Sequence, residues 1–271
     1  MLSKSNSSLP IGVFDSGVGG LTVIKSLLKV LPHEDFIYLG DTARTPYGSR
    51  SAETIKRYTQ EDINFLLRQR VKLIICACNT ASAIGLNDLP KEITTPVMGV
   101  INPMIAIVKE NATSNATIGI LGTRATINSR AYQSKLKTAL PKARIFDIAC
   151  PLLVPLIEEN WIANSATRDV LKTYLTPLIK SSPEILILGC THYPLLKKEI
   201  AKLLPKTLIL DSGNALAKSV KALLTTNQLI NSQKQPGKIK FFVTDSSTQF
   251  NSVAKIFLPN ISNIKAKQII L

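Results

Sequence analysis

Short apolar runs alternate with amphipathic stretches along nearly the whole chain, the pattern of a parallel sheet covered by helices. The runs read as strands are Ile11 to Asp15, Phe36 to Leu39, Leu73 to Ala77, Val97 to Val100, Thr117 to Leu121, Ile145 to Ala149, Ile185 to Leu188, Thr207 to Leu210 and Lys240 to Val243. Between them the apolar residues recur at helical spacing. Leu21, Ile24, Leu28 and Leu31 share the face of a helix that Pro32 closes, and Leu195, Leu196, Ile200 and Leu203 do the same ahead of Pro205. The pattern predicts an α/β fold. No low-complexity linker separates its halves, so two domains would be interleaved rather than strung on a tether.

Composition supports a folded chain. Of 271 residues, 45% are hydrophobic and 19% charged, enough to bury a sizeable core. The first ten residues, MLSKSNSSLP, are polar and lack a signal-like apolar segment, and no apolar run approaches the ~20 residues of a membrane span. A cytoplasmic protein with free thiols and no membrane partner is therefore expected. The net charge of +15 raises the question of nucleic acid. After Asp211, lysines 218, 221, 234, 238, 240, 255, 265 and 267 face the lone acid Asp245, yet no aromatic residues interleave with them to stack bases. The expectation is a solvated basic surface and no dedicated nucleic-acid site.

The candidate chemistry gathers where strands end, which is where open α/β sheets bind ligands. LIICACNT ends in Cys78, Asn79 and Thr80, and LILGCTH ends in Cys190, Thr191 and His192. The tripeptide Asp-Ser-Gly likewise follows a strand twice, at Asp15 to Gly17 and at Asp211 to Gly213. This echo suggests two related α/β units that each offer a thiol to a shared cleft. Two thiols suit inversion at a Cα, because one base held on one face cannot both remove the proton and return it to the other face. Cysteine has an unperturbed pKa near ~8.5 that neighbours can move. Asp15 could orient or accept a proton from one thiol, and His192 could serve the other. Cys76 and Cys150 read as small buried hydrophobes, His33 as surface, and Asp211 and Ser212 with Asn214 as a helix cap.

The motifs IGVFDSGVGGLTV from Ile11, YLGDTARTPYG from Tyr38, CNTASA from Cys78, GVINP from Gly99, GILGTRATI from Gly119, CPLLVPLIEE from Cys150, GCTHYPLL from Gly189 and DSG from Asp211 stand in order. With them the chain resembles the glutamate racemases of the aspartate/glutamate racemase family. The resemblance implies two pseudo-symmetric α/β domains, each a mostly parallel sheet flanked by helices, with the active site between them. Their expected limits are 1–101 plus 212–271 for the first and 102–211 for the second. It implies no pyridoxal phosphate, metal or nucleotide, and a homodimer. It further implies that Cys78 and Cys190 exchange the α-proton on opposite faces, with Asp15 assisting Cys78, and His192 with Glu158 assisting Cys190. Substrate contacts carry over to Ser16, Tyr47, Gly48, Asn79, Thr80, Thr123 and Thr191, and Asp41 matches an acidic family position of unspecified role. Glutamate is favoured over aspartate because His192 stands where aspartate racemases carry an acid. The expected role is supply of D-glutamate for peptidoglycan. The unlike partners of the two thiols imply that forward and reverse directions differ in their pH profiles.

Two rival readings have their own tests. A cysteine hydrolase built on Cys190 and His192 would form a trappable acyl-enzyme and would not need Cys78. A nucleic-acid-binding protein would lose salt-dependent retention on DNA once the C-terminal lysines were neutralised.

Overall fold

The apolar runs form strands whose ends lie within a residue of those expected: β1 Ile11–Asp15, β2 Phe36–Gly40, β3 Leu73–Cys76, β4 Val97–Gly99, β5 Thr117–Gly122, β6 Arg144–Ala149, β7 Ile185–Gly189, β8 Leu208–Asp211 and β9 Ile239–Val243. A further short strand, β10 Ala266–Gln268, has no apolar run to announce it. The structure is a computed structural model and describes residues 6–261 and 263–271; the start of the polar N-terminal stretch lies outside them. The helices are α1 Leu21–Val30, α2 Ala52–Arg68, α3 Asn79–Ile84, α4 Ile101–Asn111, α5 Arg124–Asn128, α6 Ala131–Ala139, α7 Leu153–Glu158, α8 Ser165–Ser181, α9 Lys197–Leu203, α10 Ser212–Thr226 and α11 Ser247–Phe257.

Two wholly parallel sheets result. One has the order β10-β9-β2-β1-β3-β4 and the other β6-β5-β7-β8. Every residue of β1, β2, β3, β5 and β7 is buried, as strands covered on both faces require, and this is why they read as unbroken apolar runs. The chain leaves the first sheet after β4, completes the second, and returns through α10 to add β9 and β10. Helix α10 packs against α1 and α4, so one apolar core runs from the first sheet through these helices into the second. A smaller core fills the opposite face of the first sheet beneath α2 and α3.

Two local details refine the sequence reading. The helix expected around Leu195 begins as a 3-10 turn, Tyr193–Leu196, before α9, with Pro194 in its first turn supplying no N–H. The eight C-terminal lysines are all exposed, and Lys267 lies on β10, the outermost strand, where a lysine blunts edge-to-edge pairing. No described helix is long and apolar enough to cross a membrane.

Candidate active site

Because the strands are parallel, their carboxyl ends share one side of each sheet. In the first sheet Asp15 ends β1 beside Gly40, which ends β2, and the β3 partner of Phe14 is Cys76, two residues before Cys78. In the second, Gly122 is in register with Ala149 and Gly189, so Thr123, Cys150 and Cys190 follow at one level. The two carboxyl edges face each other across a narrow pocket of about 30 Å³. Ser16, Tyr47, Gly48, Cys78, Asn79 and Thr80 line it from the first unit, and Thr123, Cys190, Thr191 and His192 from the second. Each of these is a site residue expected from the motifs of the sequence. Glu158 stands one residue further back, behind His192.

The thiols have different surroundings. Cys78 lies at the N-terminus of α3, where its sulfur accepts from Ala81 N (3.5 Å) and donates to Ser16 Oγ (3.6 Å). Burial first, and then the nearby Asp15 carboxylate, push the Cys78 thiol up to about 12. Cys190 Sγ is 3.9 Å from His192 Nδ1, while His192 Nε2 is 2.8 Å from Glu158 Oε1. Burial works against a charged imidazole, but the Cys190 sulfur and Glu158 outweigh it and carry His192 up to about 10. His192 is thus protonated at neutral pH, its edge packed on the Phe257 ring at 5.4 Å. Asp15 is fully buried and its pKa is raised by burial, against the influence of His192. Its carboxylate accepts from Gly17 N (3.1 Å) and Thr191 Oγ1 (3.3 Å), not from Cys78, so its influence on that thiol is through space.

The halves are tied together at this level. Thr22 Oγ1 donates to the Thr191 carbonyl at 2.8 Å, and the Thr80, Thr123 and Thr126 hydroxyls form a triangle with sides of 2.9 to 3.0 Å. Two glycines are required by close approach. A Cβ on Gly19 would lie 2.3 Å from Thr191 Oγ1, and one on Gly48 would lie 2.5 Å from Thr123 Cβ. Among the described residues, no group of acidic, histidine and cysteine side chains is arranged to hold a metal ion.

Comparison with known proteins decides the family. Residues 11–220 match the family model for Asp/Glu/Hydantoin racemase. The chain belongs to this racemase family. It is 43% identical to the glutamate racemase of Syntrophus aciditrophicus over 95% of this chain and 96% of that one. Its fold is similar to the crystal structure of glutamate racemase from Francisella tularensis in complex with D-glutamate (TM-score 0.89, 38% identity, 97% and 98% of the two chains). It is similar also to that of a glutamate racemase isoform from Bacillus anthracis (TM-score 0.92, 34% identity, 98% of both chains). The likeness to the aspartate racemase of Picrophilus torridus, at 19% identity and a TM-score of 0.56, is one of fold alone.

Several residues that shape the racemase pocket were not read as site residues in the sequence. Thr45, Pro46 and Val154 line it directly. Tyr132 donates to Asn79 Oδ1 at 2.6 Å and the Ser212 hydroxyl is 3.1 Å from Asn79 Nδ2, so residues of α6 and α10 set the orientation of an amide on α3. Asp211 caps α10 by accepting from Asn214 N at 3.0 Å, as expected, whereas Ser212 belongs to the Asn79 network instead. Asp62 is the case with a legible signal. It falls on the stripe Ile55, Thr59, Asp62, Leu66 that α2 buries, and a carboxylate on a buried helical stripe calls for partners. Those partners are Arg44 and Tyr47, which also hold Asp41.

Proposed function

We propose that this racemase interconverts L- and D-glutamate without a cofactor, by proton transfer at Cα in which Cys78 serves one face of the substrate and Cys190 the other. The observation that carries the reading is that two thiols borne on different sheets line one pocket. One sulfur, as thiolate, takes the α-proton; the electron pair is held as an enediolate on the α-carboxylate; the opposite thiol returns a proton to the other face. Each turnover exchanges which sulfur bears the proton, so no electron or co-reactant is consumed. A Cys78 thiol pushed up to about 12 is a proton donor at neutral pH, and a protonated His192 beside Cys190 offers a counter-charge at the other end.

The lining suits a dicarboxylate. Among the described residues that line the pocket there is no lysine or arginine. The substrate carboxylates would be held by the hydroxyls of Ser16, Thr80, Thr123 and Thr191, the Asn79 amide, the loop at Tyr47 and Gly48, and the positive His192. Asp15 would steady the Thr191 side while biasing Cys78 by its charge, and Glu158 would hold His192 in orientation. Glutamate is preferred to aspartate because the relatives similar in sequence are glutamate racemases. On the same reading the protein acts in the cytoplasm as a homodimer and supplies D-glutamate for peptidoglycan, and hence for cell shape.

The test uses purified protein dialysed against chelator with nothing added. It is expected to racemise both enantiomers and, in deuterated water, to place deuterium at Cα of the product. Cys78→Ala and Cys190→Ala should each abolish racemisation, whereas Cys76→Ala should retain it. Activity that required pyridoxal phosphate, or that survived loss of either thiol, would overturn the mechanism.

A further inference from the structure

Beneath the Thr45–Gly48 wall of the pocket lies a buried cluster of which only Tyr47 reaches the lining. Asp41, at the end of β2, and Asp62, on α2, are both fully buried. The Tyr47 hydroxyl lies between them, in contact with Asp41 Oδ2 and 2.9 Å from Asp62 Oδ2. Arg44 reaches across the group. Its Nε is 2.6 Å from Asp41 Oδ2, its Nη2 only 3.4 Å from Asp62 Oδ1, and its Nη1 pairs with Glu61.

Counting protons decides the state of this cluster. A phenol has one O–H hydrogen and can donate to one carboxylate only. Asp41 already has the surroundings of an anion, since it accepts from Arg44 Nε and from Thr244 Oγ1 at 2.8 Å. Tyr47 therefore donates to Asp41. Asp62 Oδ2 then faces the phenol oxygen, and two oxygens with only lone pairs between them would repel in a site buried away from solvent. The contact is favourable only if Asp62 brings the hydrogen. Of the other titratable groups around it, the anions of Asp41 and Glu61 disfavour a second negative charge and Cys76 on β3 supplies no positive one; Arg44 favours the charged form, but its closer contacts go to Asp41 and Glu61 and burial with Asp41 outweighs it. Burial and Asp41 hold the Asp62 carboxyl well above the usual carboxylate range.

We infer that Asp62 is a carboxylic acid at neutral pH, and that its O–H donates to Tyr47 and fixes the loop forming one wall of the substrate pocket. It is a positioning residue and touches no reacting atom. Tyr47 is gripped on three sides, by Asp41, by Asp62 and by the Tyr58 ring at 5.5 Å, over which the Arg44 guanidinium lies at 4.1 Å. Loss of the Asp62 hydrogen would free one side of that grip and leave the loop less well set for substrate.

The inference concerns the racemase site proposed above, and two measurements test it apart from that proposal. In infrared difference spectra at pH 7, wild type minus Asp62→Asn should show the C=O stretch of a neutral carboxylic acid; a carboxylate band in its place would overturn the inference. This arm needs no turnover, so it stands even if glutamate is not the substrate. In kinetics, Asp62→Asn keeps a donor to the phenol oxygen and should stay within about threefold of wild type, whereas Asp62→Ala should raise KM about tenfold with kcat nearly kept. Asp62→Asn as impaired as Asp62→Ala would mean that the charge is what matters, and would refute the assignment. Should the alanine variant fail to fold, the asparagine variant and the infrared band decide the matter.

Discussion

Gly19 does not line the pocket, yet the structure makes it a sensitive position. Its φ is not positive, so alanine meets no backbone obstacle there, and replacing glycine just ahead of α1 would by itself stabilise the fold by about 0.4–1 kcal/mol through a less flexible unfolded chain. The obstacle is the opposite unit. An added Cβ would lie 2.3 Å from Thr191 Oγ1 and 2.4 Å from His192 Nδ1, where ordinary contacts are about 3.5 Å, so the two edges must part by about 1 Å. The groups displaced are those that adjoin Cys190. A shift of about 1 Å at a reacting centre costs on the order of a hundredfold in rate, or about 2.7 kcal/mol of transition-state stabilisation. Gly19→Ala should therefore lose about two orders of magnitude in kcat/KM in both directions, followed by the optical change of D- and L-glutamate solutions, while thermal melting shows a folded protein. Activity within threefold of wild type in a folded variant would refute the claim that contact between the two edges sets the Cys190 side.

Two further outcomes follow from particular contacts. His192 is carried up to about 10 partly by Glu158, so it stays charged below that pH and loses its charge as pH rises through it. Glu158→Gln should lower that pKa and move the alkaline fall of activity to lower pH, with rates at pH 6.5 changed least; an unmoved alkaline limb would remove Glu158 from this role. At the far ends of the strands, Lys72 Nζ is 2.5 Å from Glu34 Oε2 and donates to the carbonyls of Ser7 and Leu229, with both side chains buried. Lys72→Met would strand the Glu34 charge and should cost about 3–5 kcal/mol in denaturant unfolding while leaving kcat/KM of the folded fraction unchanged; a loss below about 1 kcal/mol would show that the pair carries no such burden.

The alternation of apolar runs with amphipathic stretches determined the strands because each is buried on both faces, and burial on both faces leaves no polar position to blur the signal. β10 escaped for the converse reason: Ala266–Gln268 lies at an edge, half exposed, and satisfies its backbone by pairing with β9 rather than by any pattern of its own. The pocket-lining residues next to a strand end, such as Ser16, Cys78 and His192, were legible because parallel strands deliver their carboxyl ends to one side. Which neighbours those residues would have was not legible. That Asp15 bonds to Thr191 instead of Cys78, that Tyr132 and Ser212 orient Asn79, and that Asp62 meets Asp41 through Tyr47 all depend on contacts between segments far apart in the chain. Local sequence fixes periodicity and strand ends. Hydrogen-bond partners across a closed cleft, and the protonation states they impose, exist only once two sheets have been brought edge to edge.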